Sequence, residues 1–149
     1  MQIGTTGTRE LVTCVASDTV LQAAELMRNG HVGDVIVVQY RDGKPVPIGI
    51  VTDRDLVLQV LAVKDDPASV TVDDVMSRKL VIAYEGEQLE VIMERMRGSC
   101  VRRMPLVDSA GMLVGIATLD DVIERLTATL VEVSRISQLQ SREEKQKRM

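Results

Sequence analysis

Apolar and polar positions along this chain follow one pattern twice. In the first half a strand-like run, Leu11–Val15, passes through the polar turn Ser17-Asp18-Thr19 to apolar residues at Val20, Ala23, Ala24 and Met27. That i, i+3, i+4, i+7 spacing predicts an amphipathic helix, with Gly30 as its stop signal. Two strands joined by a hairpin follow, and Arg41-Asp42-Gly43-Lys44 carries the Asp-Gly turn signal. A second helix is predicted over Leu56–Val63. The same order then returns. Strand Leu80–Tyr84 and turn Glu85-Gly86-Glu87 lead into a helix through Leu89, Ile92, Met93 and Met96, with Gly98 as its stop. A hairpin closed by Ser109-Ala110-Gly111 precedes a helix over Val122–Leu126.

The correspondence is residue by residue. Adding 69 carries Glu25, Met27, Arg28 and Val32 onto Glu94, Met96, Arg97 and Val101, and Val35–Val38 onto Met104–Val107. Arg9-Glu10-Leu11-Val12 falls on Arg78-Lys79-Leu80-Val81. Past that point the offset drops to 66, because Gln39–Ile48 is three residues longer than Asp108–Val114; Gly49, Ile50, Thr52 and Asp55 then match Gly115, Ile116, Thr118 and Asp121. The fold class expected is α/β (α+β), with two tandem β-α-β-β-α repeats over residues 1–66 and 67–126, then a helix and polar tail over 127–149.

Between the repeats Lys64–Ser69 is a turn-rich linker, and Thr71–Met76 reads as a short capped helix leading into repeat two. Its counterpart, Ile3–Thr8, is a weaker helix former because of Gly4 and Gly7. From Thr127 to about Leu139 a helix continues, with Leu126, Leu130 and Val133 on one stripe and Ile136 and Leu139 beside it. This stripe is read as packing or a dimer contact, with a coiled-coil arm to a separate partner as the other reading. Ser141–Met149 has no apolar residue before Met149 and is expected to be solvated or disordered.

Composition narrows the function classes. The chain has 149 residues, 45% of them hydrophobic, which suits a soluble globular protein of one domain or two small ones sharing a core. No apolar run approaches the ~18 residues of a membrane span, and Met1–Thr6 lacks the features of a signal peptide, so a cytoplasmic location is expected. Net charge is −4 with Lys and Arg dispersed, so the footprint of a nucleic-acid binder is missing. Cys14 and Cys100 make no metal-ligand spacing. With no Trp or Phe and only Tyr40 and Tyr84, a bound purine must lie mainly on aliphatic side chains, methionine or backbone.

The chemistry concentrates in Gly49–Asp55 and Gly115–Asp121. In each, a strand ends at threonine, and an aspartate stands three residues on, before an apolar helical run. Thr-x-x-Asp there is a capping-box pattern. It is also where a chain can hold a polar small molecule: helix N-terminal N–H groups suit phosphate, and a carboxylate accepts from a ribose diol. Both readings stand, a pair of caps or a pair of nucleotide sites.

These features together resemble the CBS (cystathionine-β-synthase) domain, two of which form a Bateman module. The stretches that carry the resemblance are Ser17–Met27, Val35–Val38 and Gly49–Leu56, then Gly86–Met96, Val101–Val107 and Gly115–Ile123. The resemblance implies repeats packed about a pseudo-two-fold axis, dimerisation, and two clefts that bind AMP, ADP, ATP or S-adenosylmethionine as regulatory ligand, with no obligatory cofactor. Carried over, Asp55 and Asp121 would accept from ribose hydroxyls, with Thr52 and Thr118 beside them. Leu11, Val12 and Thr13, and Leu80, Val81 and Ile82, would border the bases.

The copies are unequal. Arg102 and Arg103 before Pro105 are cationic donors suited to phosphate, where repeat one has Gly33 and Asp34, and Ile36 replaces the proline. Asp53 adds negative charge where Leu119 is neutral, so a phosphate ligand should prefer the cleft of Thr118 and Asp121. The arginines could equally be solvated on a strand edge. His31 aligns with Cys100, but no second ligand lies near, and helix-terminal positions are expected. There is one histidine, no P-loop, and the pairs Asp73-Asp74 and Asp120-Asp121 diverge by ~100° on a helix, so an enzyme is not expected. The expected function is adenosine-ligand sensing by a homodimer that modulates a protein target; the alternative is an interaction module with vestigial clefts.

Overall fold

A computed structural model describes residues 11–149; the helix expected at Ile3–Thr8 and the match at Arg9-Glu10 lie outside the described residues. The first repeat comprises β1 (Thr13–Cys14), α1 (Val20–Gly30), β2 (Asp34–Arg41), β3 (Lys44–Thr52) and α2 (Asp53–Leu56), which runs on as a π-helix over Val57–Leu61. After α3 (Val72–Val75), the second has β4 (Ala83–Tyr84), α4 (Leu89–Ser99), β5 (Arg103–Val107), β6 (Leu113–Thr118) and α5 (Leu119–Lys147). Each forms a three-stranded sheet in sequence order, the first pair parallel and the second antiparallel.

The apolar run Val35–Val38 is buried on both sides of its sheet, as a continuous rather than alternating run requires. Val35 and Val37 pack with Val20, Ala23 and Met27 of α1, while Ile36 and Val38 join Leu113, Leu11, Val15 and Ile116 between the repeats. The second core repeats the first at equivalent positions: Leu89, Ile92 and Met96 of α4 against Met104, Leu106 and Ala83. The sheets therefore meet through one face each and carry their helices on the other.

Local chemistry explains the element ends. Thr19 caps α1 in a box with Gln22, whose Oε1 accepts the Thr19 N–H at 2.8 Å. The hairpin of β2 and β3 turns on Asp42 (φ 52°) and Gly43 (φ 75°), the two positive-φ positions of a type I′ turn. Of the two glycines expected as helix stops, Gly30 is in place and Gly98 is not. Gly30 is the last residue of α1 and Gly98 lies inside α4; the left-handed caps are His31 (φ 51°) and Cys100 (φ 54°), which are equivalent under the 69-residue offset.

Three other expectations are corrected. The first strands are two residues each instead of Leu11–Val15 and Leu80–Tyr84, because each ladders with a single neighbour over two positions while the rest of the apolar run packs. The helix after Thr52 starts at Asp53, three residues before Leu56, since the cap lies on the threonine. The C-terminal helix continues through Ser141 to Lys147. Arg142, Glu143, Glu144, Lys145, Gln146 and Lys147 are all strong helix formers, so the segment needs no apolar face to extend α5.

The linker folds back on repeat one. The Val20 N–H donates to Val70 O (2.8 Å) and the Val72 N–H to Asp18 O (2.8 Å). Val72, Val75 and Met76 complete the first core, and Ser77 bridges Ile50 of β3 by two hydrogen bonds of 2.9 and 3.0 Å. Gly49 permits this approach: a Cβ there would stand 2.8 Å from Met76 Sδ and 2.9 Å from Ser77 O.

Candidate ligand clefts at the paired capping boxes

Both Thr-x-x-Asp motifs form the boxes their spacing predicts. In repeat one the Asp55 N–H donates to Thr52 Oγ1 (3.2 Å) and the Thr52 N–H to Asp55 Oδ2 (2.9 Å). In repeat two the Asp121 N–H donates to Thr118 Oγ1 (3.1 Å), and Asp121 Oδ2 accepts from the Thr118 N–H (2.9 Å) and hydroxyl (2.6 Å). The start of each helix is also tied to the residue before the preceding strand pair. The Asp53 N–H donates to Gly33 O (2.9 Å) and the Leu119 N–H to Arg102 O (2.8 Å). Gly33-Asp34 and Arg102-Arg103 thus stand beside the two helix N-termini by backbone geometry alone.

The two corners differ in what they leave open. In α2 the first three N–H groups are all engaged, by Gly33 O, by Asp53 Oδ1 (2.8 Å to the Arg54 N–H) and by Thr52 Oγ1. Asp55 Oδ1 is touched by Gln59 Nε2 at 3.4 Å, which also reaches Val75 O of α3 at 3.4 Å. In α5 the Asp120 N–H makes no hydrogen bond among the described residues, and the box leaves Asp121 Oδ1 unused. Thr118 and Asp121 are buried, at 4% and 9% exposure, whereas Thr52 and Asp55 are half-buried.

The arginines separate. Arg103 Nε pairs with Asp34 Oδ2 at 3.2 Å, so it reaches the other repeat. Asp34 and Arg103 are equivalent positions, each the first residue of its strand and each opposite the box threonine. A pair formed between equivalent positions lies on the pseudo-two-fold axis. Burial pushes the Asp34 carboxyl up, Arg103 pulls it down, and Asp53 adds a further upward push. Arg102 is exposed and lines a groove of about 760 Å³ between α4 and α5, together with Met93, Arg97, Cys100, Ile123 and Leu126.

The segments expected to border a base are half-buried and turn different ways. Leu11 joins the inter-repeat cluster, while Val12 packs against the α1 core and its carbonyl accepts from the Ile36 N–H (3.3 Å). Thr13 lies in β1. Val81 packs on the second core, and the Ile82 carbonyl accepts from Arg95 Nη1 (2.7 Å). Leu80 is half-buried without strand pairing, and Pro105 is buried in β5 opposite Ile116. Arg95 also forks onto Glu87 at 2.7 and 2.8 Å. Glu87 is held below the usual carboxylate range, chiefly by that hydrogen bond.

Sequence reasoning missed Asp34, Gln59 and Arg95. For Asp34 the signal existed, as opposite charges at positions 69 apart; Gln59 and Arg95 act through one repeat only and have no counterpart to flag them. No group of three or more metal-ligating side chains occurs among the described residues, and His31 and Cys100 are exposed helix caps. No helix among them is long and apolar enough to cross a membrane.

The CBS domain pattern matches residues 4–62 and 72–128. Among curated relatives, an uncharacterized protein of Methanopyrus kandleri is 32% identical over 135 residues, covering 89% of this chain and 67% of that protein. The inosine-5'-monophosphate dehydrogenase of Methanocaldococcus jannaschii is 33% identical over 117 residues, 78% of this chain but 22% of the enzyme. Among solved structures, a CBS domain protein from Pyrobaculum aerophilum complexed with AMP superposes with a TM-score of 0.72 at 19% identity, covering 86% of this chain and 99% of that one. A hexameric CBS-CP12 protein from bloom-forming cyanobacteria gives 0.68 at 28% identity, covering 83% and 69%. Two pattern matches on two halves of the same strand order, each with its own threonine–aspartate box, make this chain a member of the CBS domain family with the domains in tandem.

Proposed function

We propose that the chain is a regulatory module that binds an adenosine ligand (AMP, ADP, ATP or S-adenosylmethionine) between its repeats, acts as a homodimer in the cytoplasm, and modulates a protein partner. One observation carries the reading: a buried box at Thr118 and Asp121 with an unengaged Asp120 N–H and an unused carboxylate oxygen. That corner offers a donor to phosphate and an acceptor to a ribose diol. The corner at Thr52 and Asp55 has spent its first-turn donors and bears Asp53, so the ligand prefers the second. Arg103 holds Asp34 through Nε, so a phosphate that draws on the same guanidinium ties occupancy to the contact between repeats. Regulation requires that the ligand bind one arrangement of the repeats better than the other.

The test is calorimetric titration with the four ligands, beside Asp121→Asn and Asp55→Asn, which keep a cap acceptor while removing the charge. Saturable binding lost in Asp121→Asn and retained in Asp55→Asn is expected. At a ligand concentration of about 100 Kd, bound protein gains roughly 2.7 kcal/mol. Silence across the panel from folded protein refutes the reading. It would favour the interaction-module alternative, whose supporting observation is that one oxygen of each box carboxylate is already spent on its cap.

A further inference from the structure

A single guanidinium lies between the two boxes. Ile36 and Val38 of β2 and Ile116 of β6 face the layer between the repeats. Side chains two residues apart on a strand share a face, so Asp34 and Thr118 face that layer as well. Cross-strand partners also share a face, which adds Thr52, opposite Asp34, and Arg103, opposite Thr118. The ion pair of Arg103 Nε with Asp34 Oδ2, at 3.2 Å, then closes a line from one box threonine to the other: Thr52, Asp34, Arg103, Thr118.

At the position where the second repeat gives this line a cation, the first gives it a carboxylate. The neighbouring positions do not compensate. Gly33 stands where the second repeat has Arg102, and a Cβ at Gly33 would meet Asp53 Oδ2 at 3.2 Å, so the first corner adds a further carboxylate. Arg102 itself turns into the α4–α5 groove. Arg103, by contrast, has donors to spare. A guanidinium carries five N–H groups; Asp34 lies against the Nε, and the Nη groups make no hydrogen bond among the described residues. Its side chain is 37% exposed, so those groups can be reached.

We infer that Arg103 serves both clefts, so that the chain holds one phosphate-bearing adenosine ligand at a time, with Asp34 keeping the axis to a single cation. A phosphate in either cleft draws on the same Nη groups, and a second phosphate would face the first without a cation of its own. The inference rests on the adenosine-ligand reading above and names its stoichiometry and the residue that reads phosphate.

Calorimetric titration of the full chain with adenosine and with AMP tests it. Wild type is expected to bind one AMP per chain and to prefer AMP to adenosine by about tenfold or more, the worth of a charge-assisted hydrogen bond. Arg103→Gln should lose that preference. Arg54→Gln, which removes an exposed cation of α2 outside the line, should keep it. Exchanging the pair, Asp34→Arg with Arg103→Asp, leaves a guanidinium on the axis and should keep both the preference and the single site. Two AMP per chain in wild type, or AMP held no better than adenosine, overturns the inference and leaves the adenosine-ligand reading standing. An Arg103→Gln chain that keeps the preference overturns it too, whether or not the exchanged chain folds. An exchanged chain, folded by circular dichroism, that behaves as Arg103→Gln overturns the sharing between clefts. Silence from both ligands overturns the inference, and the titration with four ligands decides the reading beneath it.

Discussion

Gly49→Ala should destabilise the chain by about 2–4.5 kcal/mol. The added methyl would meet the flexible Met76 Sδ at 2.8 Å and, less forgivingly, the Ser77 carbonyl oxygen at 2.9 Å. Met76 can turn aside, but a backbone oxygen moves only if the Ile50–Ser77 bridge opens. That bridge holds two hydrogen bonds, worth on the order of 1 kcal/mol each, and overpacking adds about 1–3 kcal/mol. Reduced unfolded-chain entropy offsets about 0.4–1 kcal/mol. For a chain of this length the net loss lowers Tm by roughly 6–14 °C. Gly98→Ala is the opposite case: it lies in α4 with nothing within 4 Å of a new Cβ, so it should stabilise by about 0.5–1 kcal/mol. Urea unfolding followed by circular dichroism measures both. A Gly49→Ala protein within about 0.5 kcal/mol of wild type, at unchanged m, would refute the claim that α3 is clamped to β3.

The cysteines should differ in reactivity. Cys14 is buried with its thiol pushed up to about 11, chiefly by burial, while Cys100 is exposed, so alkylation at neutral pH should label Cys100 alone until the chain unfolds. The Glu87–Arg95 fork should show in acid. Because the folded Glu87 value is depressed below 4.5, its stabilisation is present above that value and is lost as pH falls through the lowered one. Glu87→Gln should therefore cost about 1–2 kcal/mol at pH 7 and flatten the acid limb of stability against pH; an unchanged limb would refute the assignment.

The cores and caps were legible because they depend on local periodicity and on side chains three residues apart. Offset matching found Met27 with Met96 and Val37 with Leu106, and both pairs occupy equivalent core sites. Short-range chemistry misled at Gly98, which was expected to stop α4 but lies inside it, with the left-handed cap two residues on at Cys100. Strand lengths failed at β1 and β4 because an apolar run reports burial, not laddering. The packing of α3 on repeat one, and the reach of Arg103 to Asp34, depend on how two halves meet in space, which no single window of sequence contains.

The Asp34–Arg103 contact has a consequence for interchangeability. Equivalent residues that meet on a symmetry axis face themselves whenever the two halves are identical. Two copies of the first repeat would set carboxylate against carboxylate there, and two copies of the second would set guanidinium against guanidinium. Only one of each joins the two without repulsion. At this position the duplication has become a lock and its key within one polypeptide, so exchanging the two residues should preserve the union while making either one uniform should oppose it.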